Sequence, residues 1–228
     1  MTLRHLMRLE LKKAGISLYL IVSLLGWGCA MLFSYIGLND MTDHTYDTAF
    51  QMIGIVFNFY YIILYAVLVV VYVLNEYQNR TILVLFTYPV SRQKILLAKL
   101  CLITLTVFLA LALGFCVCGG FLVIVSQHTQ LIEGTFTTAV LASWAASALK
   151  ATLLFCALGM CTFALALWRK SMILTLISSI LLCYLRQFIL AGTDAKSDSL
   201  LTVLLAIVLA GIGTFFALKR GSQQLEKK

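Results

Sequence analysis

Proline is almost absent: one residue, Pro89, interrupts 228. Charged residues are scarce too, at 11% where a soluble domain carries roughly 25%, so the chain cannot cover a water-soluble core with polar surface. No G-x-x-x-x-G-K-S/T run occurs, which excludes a phosphate cradle of that kind. His5, His44 and His128 lie scattered outside the long apolar runs. No acid or base falls at the middle of a run, where a proton-coupled carrier or an intramembrane hydrolase needs one. Nor do Gly/Pro-broken helices recur in matching positions, as inverted-repeat carriers often show. An enzyme reading has no residues to stand on, and no cofactor is implied in this chain.

Hydrophobic residues make up 62% of the sequence. On a window of about 20 residues they gather into six runs, 16–38, 51–74, 95–118, 145–167, 171–190 and 200–218. The first is too long for a signal-peptide core and has no small-residue cleavage site after it, so it reads as a retained span. The expected fold is all-α: one polytopic membrane domain over residues 1–228 with six transmembrane helices. Gly119-Gly120 is expected to end span 3, since the apolar run continues to Val125. Cys29, Cys101, Cys116, Cys118, Cys156, Cys161 and Cys183 all fall within or at the edge of a run. With no clustered His or carboxylate they read as small packing residues, neither a metal site nor a disulfide framework.

The net charge of +8 does not point to nucleic acid, because the basic residues sit at the ends of apolar runs and not on one water-facing surface. Fourteen of the seventeen Lys and Arg precede span 1, join spans 2 and 3, join spans 4 and 5, or follow span 6. By the positive-inside rule that face, with both termini, is cytoplasmic. Asp40, Asp43, Asp47, Glu133, Asp194 and Asp198 fall on the other side. Lys150 and Arg186 sit near the outer ends of spans 4 and 5, within snorkelling reach of the interface.

Residues 1–14 place Leu3, Leu6, Met7 and Leu11 at helical spacing, with Arg4, Arg8 and Lys12 beside them. The pattern fits a helix lying in the membrane interface, or else a plain basic anchor. In span 2, Gly54, Asn58, Tyr61, Tyr65, Leu68 and Tyr72 share one helix face. Their polar atoms need protein or a wet cavity in place of acyl chains. Spans 4 and 6 carry small residues four apart, including Ala151, Thr152, Cys156 and Gly159, then Ala206, Ala210 and Gly213, which favours close packing inside a bundle.

The polar exception is residues 75–94. Gln78, Arg80 and Thr81 face water, while Ile82, Leu83, Leu85 and Phe86 can form a short amphipathic helix. Pro89 ends it, Ser91 can cap the next helix, and Gln93-Lys94 opens span 3. The product is a knob on two spans, suited to docking a partner and passing its motion into the membrane.

This stretch, "EYQNRTILVLFTYPVSRQKILLAK" from Glu76 to Lys99, resembles the cytoplasmic loop of ABC type-2 export permeases at Glu76, Thr81, Leu85, Pro89, Val90, Ser91, Arg92 and Lys99. Arg80 stands where that family usually carries Gly, and Asn79 can take the left-handed conformation there. A second stretch, "ALGMCTFALALWRKS" (157–171), resembles the end of span 4 in the same family. The resemblance implies a multi-pass permease of the bacterial cell membrane, paired with separate ATPase subunits that hold ATP and Mg. It implies a second permease copy or paralogue, a membrane-lipid environment, and no nucleic acid. The ATPase-coupling residues would be Glu76, Asn79, Arg80, Thr81, Leu85, Tyr88, Pro89, Ser91 and Arg92. The compact size is most similar to permeases of bacteriocin and bacitracin resistance systems, which suggests an amphipathic peptide or peptide antibiotic as substrate. Asn58, Tyr61 and Tyr65 would face its path. The alternative is an immunity or scaffold protein that binds its ligand without ATP.

Overall fold

Thr45 shows how the elements begin. Its side chain accepts from the Thr48 N–H at 3.4 Å, which caps one of the free donors of a helix start. Asp47 in the first turn complements the helix dipole. Span 2 therefore starts five residues earlier than hydropathy indicates, because Tyr46 and Ala49 are buried and the Tyr46 hydroxyl donates to Ser126 Oγ at 3.0 Å.

The computed structural model describes residues 16–40, 45–75, 92–129, 137–169, 171–192 and 206–216, which are all-α apart from short flanking residues. The helices are α1 (Ile16–Asp40), α2 (Tyr46–Val69, continued by a π-helical turn Val70–Leu74), α3 (Arg92–Thr129), α4 (Thr138–Arg169), α5 (Met172–Gly192) and α6 (Ala206–Phe216). Four of them, α1 to α4, are long and apolar enough to cross a membrane, and α5 and α6 supply shorter apolar helices. The expected interfacial helix (1–15) and the loop residues 76–91 lie outside the described residues.

α2 is the centre, packing against α1, α3, α4 and α5. Its partners on α3 step in the opposite direction: Tyr46 with Ser126, Phe57 with Phe115, Tyr65 with Thr104. The two helices are therefore antiparallel along nearly their whole length. α1 is also antiparallel to α2, and α4 runs parallel to it through Phe50–Trp144 and Tyr65–Gly159. The start of α1, the end of α2, the start of α3 and the end of α4 thus share one face, here called the basic end after Lys94, Lys99 and Arg169.

α3 corrects one expectation: it does not stop at Gly119-Gly120 but continues to Thr129, for 38 residues. Glycine lowers helix stability by about 1 kcal/mol relative to Ala, yet in hydrocarbon an opened backbone costs more. At Gly119 the missing side chain has a use, since a Cβ there would overlap the Trp144 ring of α4. Gly159 acts alike, with the Tyr65 ring lying where its Cβ would stand.

The small-residue face of α4 packs inside the bundle from Thr152 through Cys156 and Gly159, all buried. α4 also begins seven residues before its hydropathy signal, where Trp144 stacks on Phe50 at 4.9 Å. Among the described residues, the exposed side chains of α1 and α5 are Cys29 and leucine, isoleucine and aromatic residues, which suits lipid and not water.

Candidate functional site

Polar residues inside a membrane bundle are costly unless paired, so their pairings show what each helix is fixed to. Asn58, Tyr61 and Tyr65 are each 1% exposed. Tyr61 Oη accepts from Trp27 Nε1 of α1 at 2.7 Å and donates to Ala110 O of α3 at 3.4 Å. The Tyr65 hydroxyl pairs with Thr104 Oγ1 of α3 at 3.1 Å. Asn58 Oδ1 accepts from Cys183 Sγ of α5 at 3.6 Å. The predicted stripe therefore meets protein on three sides and ties α2 to α1, α3 and α5. Ser23, 2% exposed, lies beside the Tyr19 and Tyr61 hydroxyls, and its Oγ stands outside good hydrogen-bond geometry with either.

At the basic end α2 changes its winding. From Val70 to Leu74 it is π-helical, with the Asn75 N–H bonded back to Val70 O. Such turns are rare and frequently sit at functional sites. Lys99 of α3, 3% exposed, donates from Nζ to the Tyr72 carbonyl in this turn at 2.8 Å. An ammonium against carbonyls near a helix end complements the negative pole of the dipole. The π turn is thus clamped to α3 at Tyr72, four residues before Glu76.

A groove of about 340 Å³ lies between α1 and α2, with Tyr19 and Tyr60 in its walls and Tyr72 at its basic end. Tyr19 donates to Thr106 O at 2.8 Å, and Tyr60 donates to Val22 O.

Of the predicted coupling residues, Arg92 opens α3, and Glu76, Asn79, Arg80, Thr81, Leu85, Tyr88, Pro89 and Ser91 lie outside the described residues. Sequence reasoning placed Lys99 in the loop motif but not at the clamp, and missed Trp27, Thr104 and Cys183. Trp27 and Thr104 could have been flagged as polar atoms within apolar runs. A thiol that donates to an asparagine carries no such signal. Among the described residues no group of His, Cys, Asp and Glu could hold a metal ion, and the seven cysteines are free thiols.

Apolar helices of spanning length, joined internally by a buried polar seam, define a polytopic α-helical membrane protein. A model of the ABC-2 family transporter proteins matches residues 8–186, and the chain belongs to that family as its membrane component. It is also 31% identical over 222 residues to an uncharacterized protein, YcbO, of Bacillus subtilis (strain 168), which spans 93% of this chain and 94% of the relative.

Proposed function

We propose that this chain is the permease subunit of an ATP-driven exporter, working as a pair of permeases with separate ATPase subunits docked on residues 76–91. Both termini and that segment face the cytoplasm, where the ATP is. The supporting observation is the clamped π turn: one helix carries the segment at its end, the Lys99–Tyr72 anchor just before it, and the Asn58–Tyr61–Tyr65 seam deeper in the membrane. A push on the segment therefore acts on α2 and α3 together. The seam is closed in the conformation described, so it lines a substrate path only when α2 parts from α1 and α3. An amphipathic peptide, such as a peptide antibiotic, is the proposed cargo.

The test is co-purification with the cognate ATPase, followed by transport and ATP hydrolysis in proteoliposomes. Glu76→Ala and Pro89→Ala should leave insertion intact while lowering transport per ATP hydrolysed several-fold, and the purified chain alone should not bind nucleotide. Wild-type coupling in both variants would remove the segment from the mechanism. If no ATPase co-purifies and the chain alone protects cells from the peptide, the immunity reading replaces this one.

A further inference from the structure

Nothing in Val70–Leu74, three valines, a tyrosine and a leucine, asks for π winding. π turns are rare and α winding is the default, so contacts from outside the turn decide. The turn packs against α3, α4 and α5, with Val73 and Leu74 buried at 1% and 0% exposure. Upstream, the bonds of Asn58, Tyr61 and Tyr65 to α5, α1 and α3 fix the rotation of α2. A change of winding must therefore appear at the Asn75 end.

A return to α winding would bond the Asn75 N–H to Val71 O in place of Val70 O and add one residue's rotation, about 100°. Each residue at the end of the turn would then stand where its successor stands now. Packing opposes this weakly, since Val73 would take the place of Leu74, one aliphatic side chain for another. Lys99 opposes it strongly. Tyr72 lies midway through the turn and would rotate by about half as much, which moves an atom on the Cα cylinder, of radius about 2.3 Å, by about 2 Å. That breaks the 2.8 Å bond from Lys99 Nζ to the Tyr72 carbonyl, because such bonds fade beyond about 3.2 Å. Lys99 is 3% exposed, and a buried ammonium is costly without acceptors around it.

One helix therefore sets the phase of α2 on both sides of the change in winding: Thr104 of α3 holds Tyr65, and Lys99 of α3 holds Tyr72. We propose that Lys99 is a positioning residue, whose bond to the Tyr72 carbonyl keeps Val70–Leu74 in π winding and sets the direction in which α2 leaves at Asn75 toward residues 76–91. Without the bond the turn takes α winding and that direction swings by about 100°. The joint has two positions, and Lys99 is its catch. That the swing serves an ATPase rests on the function proposed above; the catch itself is tested on the chain alone.

The test is thiol labelling of the purified full-length chain in detergent micelles, read position by position by peptide mass spectrometry so that the native cysteines stay in place. Leu74 is 0% exposed and Asn75 is exposed, so Asn75→Cys should label quickly and Leu74→Cys slowly. Adding Lys99→Met should raise labelling at position 74 by about tenfold or more, toward the rate at position 75, as access to the thiol opens. Deleting Val71 as well should return it to the slow rate, because α winding with one residue fewer restores the original phase. A helix end that had merely loosened would not be restored by a deletion. Should Leu74→Cys unfold, Leu74→Met, close in volume, reports through peroxide oxidation. Should Lys99→Met fail to fold, Lys99→Gln, neutral and one bond shorter, serves in its place. Labelling that stays slow at position 74 in the Lys99 variant overturns the proposal, and so does a rise that deletion of Val71 does not reverse. Either result stands whether or not an ATPase co-purifies.

Discussion

Removing the Tyr61 hydroxyl tests the seam most directly. In Tyr61→Phe the ring stays, so packing against Phe57 and Tyr60 is kept and only hydrogen bonding changes. Ala110 O loses a long second donor at 3.4 Å but keeps its own helix bond. Trp27 Nε1, on a partly buried ring, loses the acceptor it holds at 2.7 Å. Interhelical hydrogen bonds in membrane proteins average about 0.6 kcal/mol with a ceiling near 1.7, and a stranded buried donor costs about 1–3 kcal/mol. The expected loss is about 1.5 kcal/mol, or roughly 3–6 °C in melting temperature for a chain of this size. Trp27→Phe removes the other partner and some packing volume, so its own effect is larger and less specific. The double variant isolates the bond: the two single losses should exceed the double loss by about 1 kcal/mol. The assay is reversible unfolding in detergent micelles, with transport per folded complex measured on the same samples. A coupling below about 0.3 kcal/mol would show that the Trp27–Tyr61 contact does not hold α1 to α2. Altered substrate selectivity at unchanged stability would instead make Tyr61 a substrate-contacting residue.

Three further outcomes are expected. Gly159→Ala should cost about 1–3 kcal/mol, because the Tyr65 ring beside it is held by Thr104; adding Tyr65→Leu should recover part of the melting temperature, and no recovery would place the strain elsewhere. Ser23→Ala should be neutral or raise stability by up to about 1 kcal/mol, since it deletes a buried hydroxyl that makes no well-formed hydrogen bond; a measurable loss would show that it bonds the Tyr19 or Tyr61 hydroxyl beside it. Single cysteines at Asp43 and Asp198 should react in intact cells with an impermeant thiol reagent while one at Asn79 stays protected, and the reverse pattern would invert the orientation.

Hydropathy located the helices because lipid removes water's competition for backbone groups, leaving helix as the open choice for a long apolar run. Their ends were less legible. Tyr46 and Trp144 extend α2 and α4 through contacts with Ser126 and Phe50, and such partners come from distant sequence. Gly119-Gly120 misled for a related reason: in the sequence the pair reads as a helix breaker, whereas in the bundle Gly119 is the space Trp144 occupies. The seam on α2 was visible because Asn58, Tyr61 and Tyr65 repeat with the helix period. Its partners were not, since Trp27, Thr104 and Cys183 each stand alone on their own helices. The π turn has no signature in Val70–Leu74, five apolar residues that suit either winding.

That π turn also has a consequence for the chain as a genetic object. Winding by i→i+5 accommodates one more residue per turn than the α-helix around it. Deleting one residue between Val70 and Leu74 would let the turn relax to ordinary α winding, with the seam above and the segment below keeping their phase. The same deletion among residues 58–65 would rotate the seam by about 100° and scatter its partners. Length variation among relatives should therefore be tolerated at the π turn before anywhere else in α2, at the expense of the Tyr72 carbonyl that Lys99 holds.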